Sequence, residues 1–126
     1  MALSSYQDLE VWRRAVDWAE AAYRATQTFP REEAYGLTSQ IRRAAVSVPS
    51  NIAEGAARAG TKEFLQFLGI ARGSLAEAET LMLISSRLGF LDHQQRESLM
   101  AQSDEIGRMI TGLRKSLKSK MADSTQ

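Results

Sequence analysis

One histidine, no cysteine and no lysine-bearing glycine loop leave this chain few ways to do chemistry. His93 stands alone directly after Asp92, whereas a zinc site needs several ligands gathered at suitable spacing. No G-x-S-x-G elbow presents a serine nucleophile to that histidine. Glu77 and Glu79 are two residues apart, so on a helix they cannot face the same way as an acid/base pair. The stretch Gly69-Ile-Ala-Arg-Gly73-Ser lacks the lysine of a phosphate-binding loop and sits within a helical pattern. No catalytic residue, metal or cofactor is therefore expected, and His93 reads as an exposed residue in a first helical turn.

The unusual segment is Gln40-Ile-Arg-Arg-Ala-Ala-Val-Ser-Val-Pro-Ser-Asn-Ile-Ala-Glu-Gly55. Gln40, Arg43, Ser47, Asn51, Glu54 and Arg58 recur at helical spacing and make one polar stripe. Glu54 can pair with Arg58 one turn on. Ser50 or Asn51 can reach carbonyls left unpaired by Pro49. Three readings stay open: a solvated face with a proline kink, a polar network that fixes register and assembly, or a nucleic-acid contact through Arg42 and Arg43. A second basic feature closes the chain, where Arg108, Arg114, Lys115, Lys118 and Lys120 face Asp123 alone. Such an end could touch phosphate, or it could place cations favourably at a helix C-terminus.

Four helical patterns would have to position these residues. The first runs from about Asp8 to Thr28 and carries two apolar stripes. Leu9, Trp12, Val16, Ala19, Tyr23 and Thr26 form one, and Val11, Ala15, Trp18, Ala22, Ala25 and Phe29 the other, nearly opposite. A lone bundle helix needs a single buried face, so the second stripe predicts a second copy. Phe29-Pro30 ends this helix, because the residue before proline is pushed out of helical geometry. A second helix begins near Glu32, buries Leu37, Ile41, Ala44, Ala45, Val48 and Ile52, and bends at Pro49.

Thr61 suits the N-cap of a third helix. Its seam is Phe64, Leu68, Ala71, Leu75, Ala78, Met82 and Ser85, widened by Phe67, Ile70, Leu81, Ile84 and Leu88. Gly69 and Gly73, one turn apart, predict a close approach by another backbone. Gly89 stops the helix, and Asp92 with Gln95 makes a capping-box start for the fourth, whose seam is Leu99, Ser103, Ile106, Ile110, Leu113 and Leu117. With only 8 Gly and 2 Pro in 126 residues, little of the chain is loop. The expected fold is all-α, an antiparallel up-down-up-down four-helix bundle in one domain over residues 1–126, with its core at about 6–117 and a polar tail at 118–126. Val11, Trp18, Phe67 and Ile70 are the candidates for contact with a second copy.

Composition bounds the setting. Apolar residues make up 44% and charged residues 25%, and the net charge is +1. No apolar run approaches the roughly 20 residues that span a bilayer, and the N-terminus lacks a basic stretch followed by an apolar one. The expected location is the cytoplasm, without membrane contact.

The chain also resembles a known family. Tyr6-Gln-Asp-Leu-Glu-Val-Trp12, Phe29-Pro30, the block from Tyr35 through Gly55, Phe64-Leu-Gln-Phe-Leu68, Ala71-Arg-Gly-Ser-Leu75 and Leu88-Gly-Phe-Leu91 are similar to the four-helix-bundle proteins encoded by intervening sequences within bacterial 23S rRNA genes. The similarity spans about residues 6–117, and the Gln40–Gly55 block is its most specific part. It implies a homopentamer with no established biochemical activity. That family in turn resembles the accessory variability protein of diversity-generating retroelements, a strongly basic pentamer that binds nucleic acid and a reverse transcriptase. The resemblance thus implies a non-enzymatic accessory or scaffold protein whose partners are its own copies and RNA, DNA or a nucleic-acid enzyme. Arg42, Arg43, Arg114, Lys115, Lys118 and Lys120 are the residues expected to meet phosphate. An alternative is a ribonuclease, since Arg87 and His93 loosely resemble the Arg-His pair of helical HEPN ribonucleases. A third is a purely structural oligomer.

Overall fold

The computed structural model describes residues 5–124, and all regular structure among them is helical. The helices are α1 (Glu10–Thr26), α2 (Leu37–Ala57), α3 (Thr61–Arg87) and α4 (His93–Ser124), with single 3-10 turns at Tyr6–Asp8 and Arg31–Glu33. α1 packs on α2 and α4, and α3 packs on α2 and α4, while the diagonal pairs do not approach each other.

The helix ends follow from local chemistry. Asp92 and Gln95 cap α4 reciprocally: the Gln95 amide donates to Asp92 Oδ1 at 2.7 Å, and the Asp92 amide to Gln95 Oε1 at 3.3 Å. Gly89, at φ 83°, ends α3, and the Phe90 amide reaches back to the Ser85 carbonyl while the Gly89 amide reaches Ser86. Thr61 is the first residue of α3 and Gly60 is its N-cap, so the threonine does not cap. α2 starts at Leu37, later than the sequence suggests, because the Glu33 carboxylate takes the Leu37 amide and holds residues 31–36 in a turn. Pro49 is buried inside α2, which continues through it to Ala57. α4 stays helical to Ser124, so most of the expected polar tail is helix. Residues 1–4 and 125–126 lie outside the described residues.

Trp18, Ile41, Ile52, Leu68, Leu75, Met82, Ile106 and Ile110 fill the middle of the bundle. Trp18 donates from Nε1 to the Leu99 carbonyl at 3.2 Å, which ties α1 to α4. Val11 and Trp18, expected to meet a second copy, are buried in this core instead. The physical reason is that α1 has two helical neighbours, so one chain already covers the stripe that seemed to need a partner. Of the other stripe, Ala19 and Thr26 are also buried, Leu9, Trp12 and Val16 are half-buried and Tyr23 is exposed, and the Tyr6 ring meets Trp12 edge-on at 5.1 Å.

The glycines also rearrange the expected packing. The close approach is at Gly55, where a Cβ would lie 2.7 Å from Phe67 Cβ and 3.0 Å from Phe64 Cδ1. Gly69 meets only the end of Arg114, and Gly73 faces open space, so no backbone packs on either.

Candidate functional site

Arg87 and His93 flank the connection between α3 and α4, and both are exposed. No hydrogen bond joins them. Among the described residues, no three metal-ligating side chains cluster.

The polar stripe of α2 divides into three parts. Ser47 Oγ and Ser74 Oγ are 2.8 Å apart and bridge α2 to α3. Asn51 Nδ2 donates to the Ser47 carbonyl at 2.8 Å and to Ser47 Oγ at 2.9 Å, so its amide serves this network and not the carbonyl four residues before Pro49. Glu54 and Arg58 pair separately at 2.8 Å, and Arg58 lies over the Phe67 ring at 5.1 Å. Gln40 and Arg43 are exposed and stand outside the network.

Arg42 is occupied within the protomer. Its Nε donates to Thr26 Oγ1 at 2.9 Å, a terminal amino group donates to the Tyr23 carbonyl at 3.2 Å, and the guanidinium stacks over the Tyr23 ring at 4.6 Å. It satisfies the last turn of α1, where carbonyls lack intrahelical partners. Arg43, beside it, keeps its charge in water. Both line an open cleft of about 500 Å³ between α1 and α2, with Thr38, Ser39 and Val46.

The six expected phosphate contacts do not converge. Arg42 and Arg43 lie on α2 and the other four on α4, its diagonal neighbour. Even within α4 the cations scatter, since helical geometry turns each residue by about 100°. Arg114 meets Gly69 of α3 and Lys118 lies one turn beyond it on the same side of α4, whereas Lys115 and Lys120 lie on other sides of that helix. Arg114 is half-buried with its Nε sequestered and unpartnered. Arg72 of α3, which the sequence reading passed over, lies across Gly107 of α4, its Cζ 3.3 Å from where a Cβ would stand. The signal that could have found it is a glycine on the facing helix, which only the register between α3 and α4 reveals.

A second surface is apolar. Val46 is 41% exposed, Ile70 52%, Ile84 42% and Leu88 56%, all on α2 and α3. Ile70, Gly73, Leu81, Ile84 and Leu88 recur in steps of three, four and eight, so they share one face of α3, next to the Ser47–Ser74 bridge. Ile70 thus remains available to a second copy, and Phe67 is half-buried against Gly55.

Comparison with known proteins gives a family and a fold. The family profile described as "23S rRNA-intervening sequence protein" matches residues 7–112. A solved structure from Bacteroides thetaiotaomicron VPI-5482, described as a protein with unknown function from the S23 ribosomal protein family, has a TM-score of 0.75 and 22% identity. The match covers 83% of this chain and 98% of that one. No curated protein matches.

Proposed function

The chain belongs to the 23S rRNA-intervening sequence protein family, and from that premise we propose that it is a non-enzymatic, homo-oligomeric helical bundle, a pentamer, acting as an accessory scaffold for nucleic acid in the cytoplasm. Its helices run in antiparallel up-down-up-down order. Supporting that order, residues 47 and 55 of α2 meet 74 and 64 of α3, while 79 and 69 of α3 meet 103 and 114 of α4. No described helix is long and apolar enough to cross a membrane.

The observation that carries assembly is the exposed apolar face made by Val46, Ile70, Ile84 and Leu88. The face is mixed, since exposed Glu77 lies between Ile70 and Ile84 and Val46 borders the cleft toward Tyr23, but several large apolar side chains exposed together favour association. Gly73, helix-weakening and uncovered, sits in the same face.

Light scattering on the purified protein at micromolar concentration tests the proposal. The expected mass is five times 14.0 kDa. A single folded copy at that concentration overturns it. Incubation with RNA tests the non-enzymatic part: cleavage that disappears in His93→Ala would replace the scaffold with a ribonuclease.

A further inference from the structure

We infer that the seam between α3 and α4 binds the phosphodiester backbone of nucleic acid through Arg72, Arg114 and Lys118. This rests on the nucleic-acid part of the function proposed above and assigns it a place, joining Arg114 and Lys118, already expected to meet phosphate, with Arg72, which the sequence did not single out.

The charge pattern is the first support. Six arginines of the chain are neutralised locally: Arg13 and Arg14 by Glu10, Arg24 by Glu20, Arg58 by Glu54, Arg96 by Glu97 and Arg108 by Asp104. Among the described residues, Arg72, Arg114 and Lys118 have no carboxylate within ion-pair distance, as is also true of Arg31, Arg43 and Arg87, and what sets the three apart is their place along one helix seam. Glu79, on the same seam, is engaged by Ser103 Oγ at 2.7 Å. Glu79 keeps its negative charge under that hydrogen bond, so the seam carries three cations against one carboxylate and stays net positive.

The packing is the second support. Arg72 lies across Gly107 and Arg114 beside Gly69, each guanidinium against a glycine of the opposite helix. A Cβ at Gly107 would stand 3.3 Å from Arg72 Cζ, and one at Gly69 would stand 3.8 Å from an amino nitrogen of Arg114. The two arginines are therefore laid along the seam by the absence of side chains opposite them. Arg114 Nε is sequestered without an acceptor, yet the residue as a whole is half open to solvent, and Arg72 is exposed. Held but uncompensated guanidinium groups suit bidentate contact with phosphate oxygens. Lys118 extends the row by one turn of α4.

The seam offers charge without a base-reading surface. The aromatic residues of α3, Phe64 and Phe67, pack on the α2 side against Gly55. Binding is then to the backbone alone, indifferent to sequence and strongly dependent on salt.

Fluorescence anisotropy of labelled oligouridine and oligothymidine at low salt tests the site, with inorganic polyphosphate as a third arm. Arg72→Gln and Arg114→Gln remove the charge but keep a polar side chain with the same first carbons and should fold, which circular dichroism and light scattering verify. Each should weaken binding of both strands at least tenfold and lower the salt slope by about 0.7 for one lost phosphate contact. Arg31→Ala, an unpaired cation at the α1–α2 connection, should bind as the parent chain does. Polyphosphate that binds while neither oligonucleotide does would overturn the assignment. Parent-like binding by both seam variants would sink the seam and leave the scaffold reading intact. No binding by the parent chain at low salt would remove both.

Discussion

Trp18 shows how much one side chain holds. It is wholly buried, touches the centre of the bundle and donates to the Leu99 carbonyl. Trp18→Ala should lose about 3–5 kcal/mol of stability, the usual cost of removing a buried aromatic. Urea unfolding followed by circular dichroism at fixed protein concentration checks it. Glu10 carries a smaller, pH-dependent contribution. The Arg13 hydrogen bond first, and then that of Arg14, hold its carboxyl below the ordinary value. A lowered folded value means the stabilisation is present above the ordinary carboxylate range and is lost as pH falls through the lowered value. Thermal unfolding of Glu10→Gln should therefore differ slightly from the parent at neutral pH and converge with it in acid. A gap that widened in acid would contradict this.

At the scale of the helix, the glycines separate two kinds of surface. Gly55→Ala forces a Cβ to within 2.7 Å of Phe67 Cβ, so overpacking of about 1–3 kcal/mol should outweigh the gain in helix propensity. Gly73→Ala meets nothing within 4 Å, and should stabilise the isolated protomer by about 1 kcal/mol. If a second copy packs there, the same change should lower the solution mass or raise the concentration at which assembly occurs. Thermal unfolding and light scattering on both variants separate the two effects. The contrast also marks what sequence can tell. The seams of α3 and α4 were legible because burial on one side imposes three-four spacing: Leu68, Ala71, Leu75, Ala78, Met82 and Ser85 are all buried, as are Leu99, Ser103, Ile106 and Ile110. The Asp92–Gln95 cap was legible because its bonds are local. Which glycine meets a neighbour was not, since that depends on register between helices. Of the candidate sites, the Ser47–Asn51 network lies on the expected stripe, whereas Arg42 is engaged with Tyr23 and Thr26, partners 19 and 16 residues away.

At the scale of the molecule, the number of neighbours decides what an apolar stripe means. Two stripes on α1 exceed one buried face and point to a second copy, yet α2 and α4 both lie against it and bury Val11 and Trp18. The surplus surface lies instead on α2 and α3, where Ile70 and Leu88 are more than half exposed. A charge there is cheap for a solitary protomer, because exposed substitutions usually change stability by no more than about 0.5 kcal/mol. It is costly where a second copy must desolvate it. Ile70→Asp and Leu88→Asp should therefore keep the helical spectrum of the parent but scatter light as single copies. Their unfolding midpoint should become independent of protein concentration, while that of the parent falls on dilution, as mass action requires of an assembled state. Variants that retain the parent's mass would mean that copies meet elsewhere, and that this face is covered by something other than the chain itself.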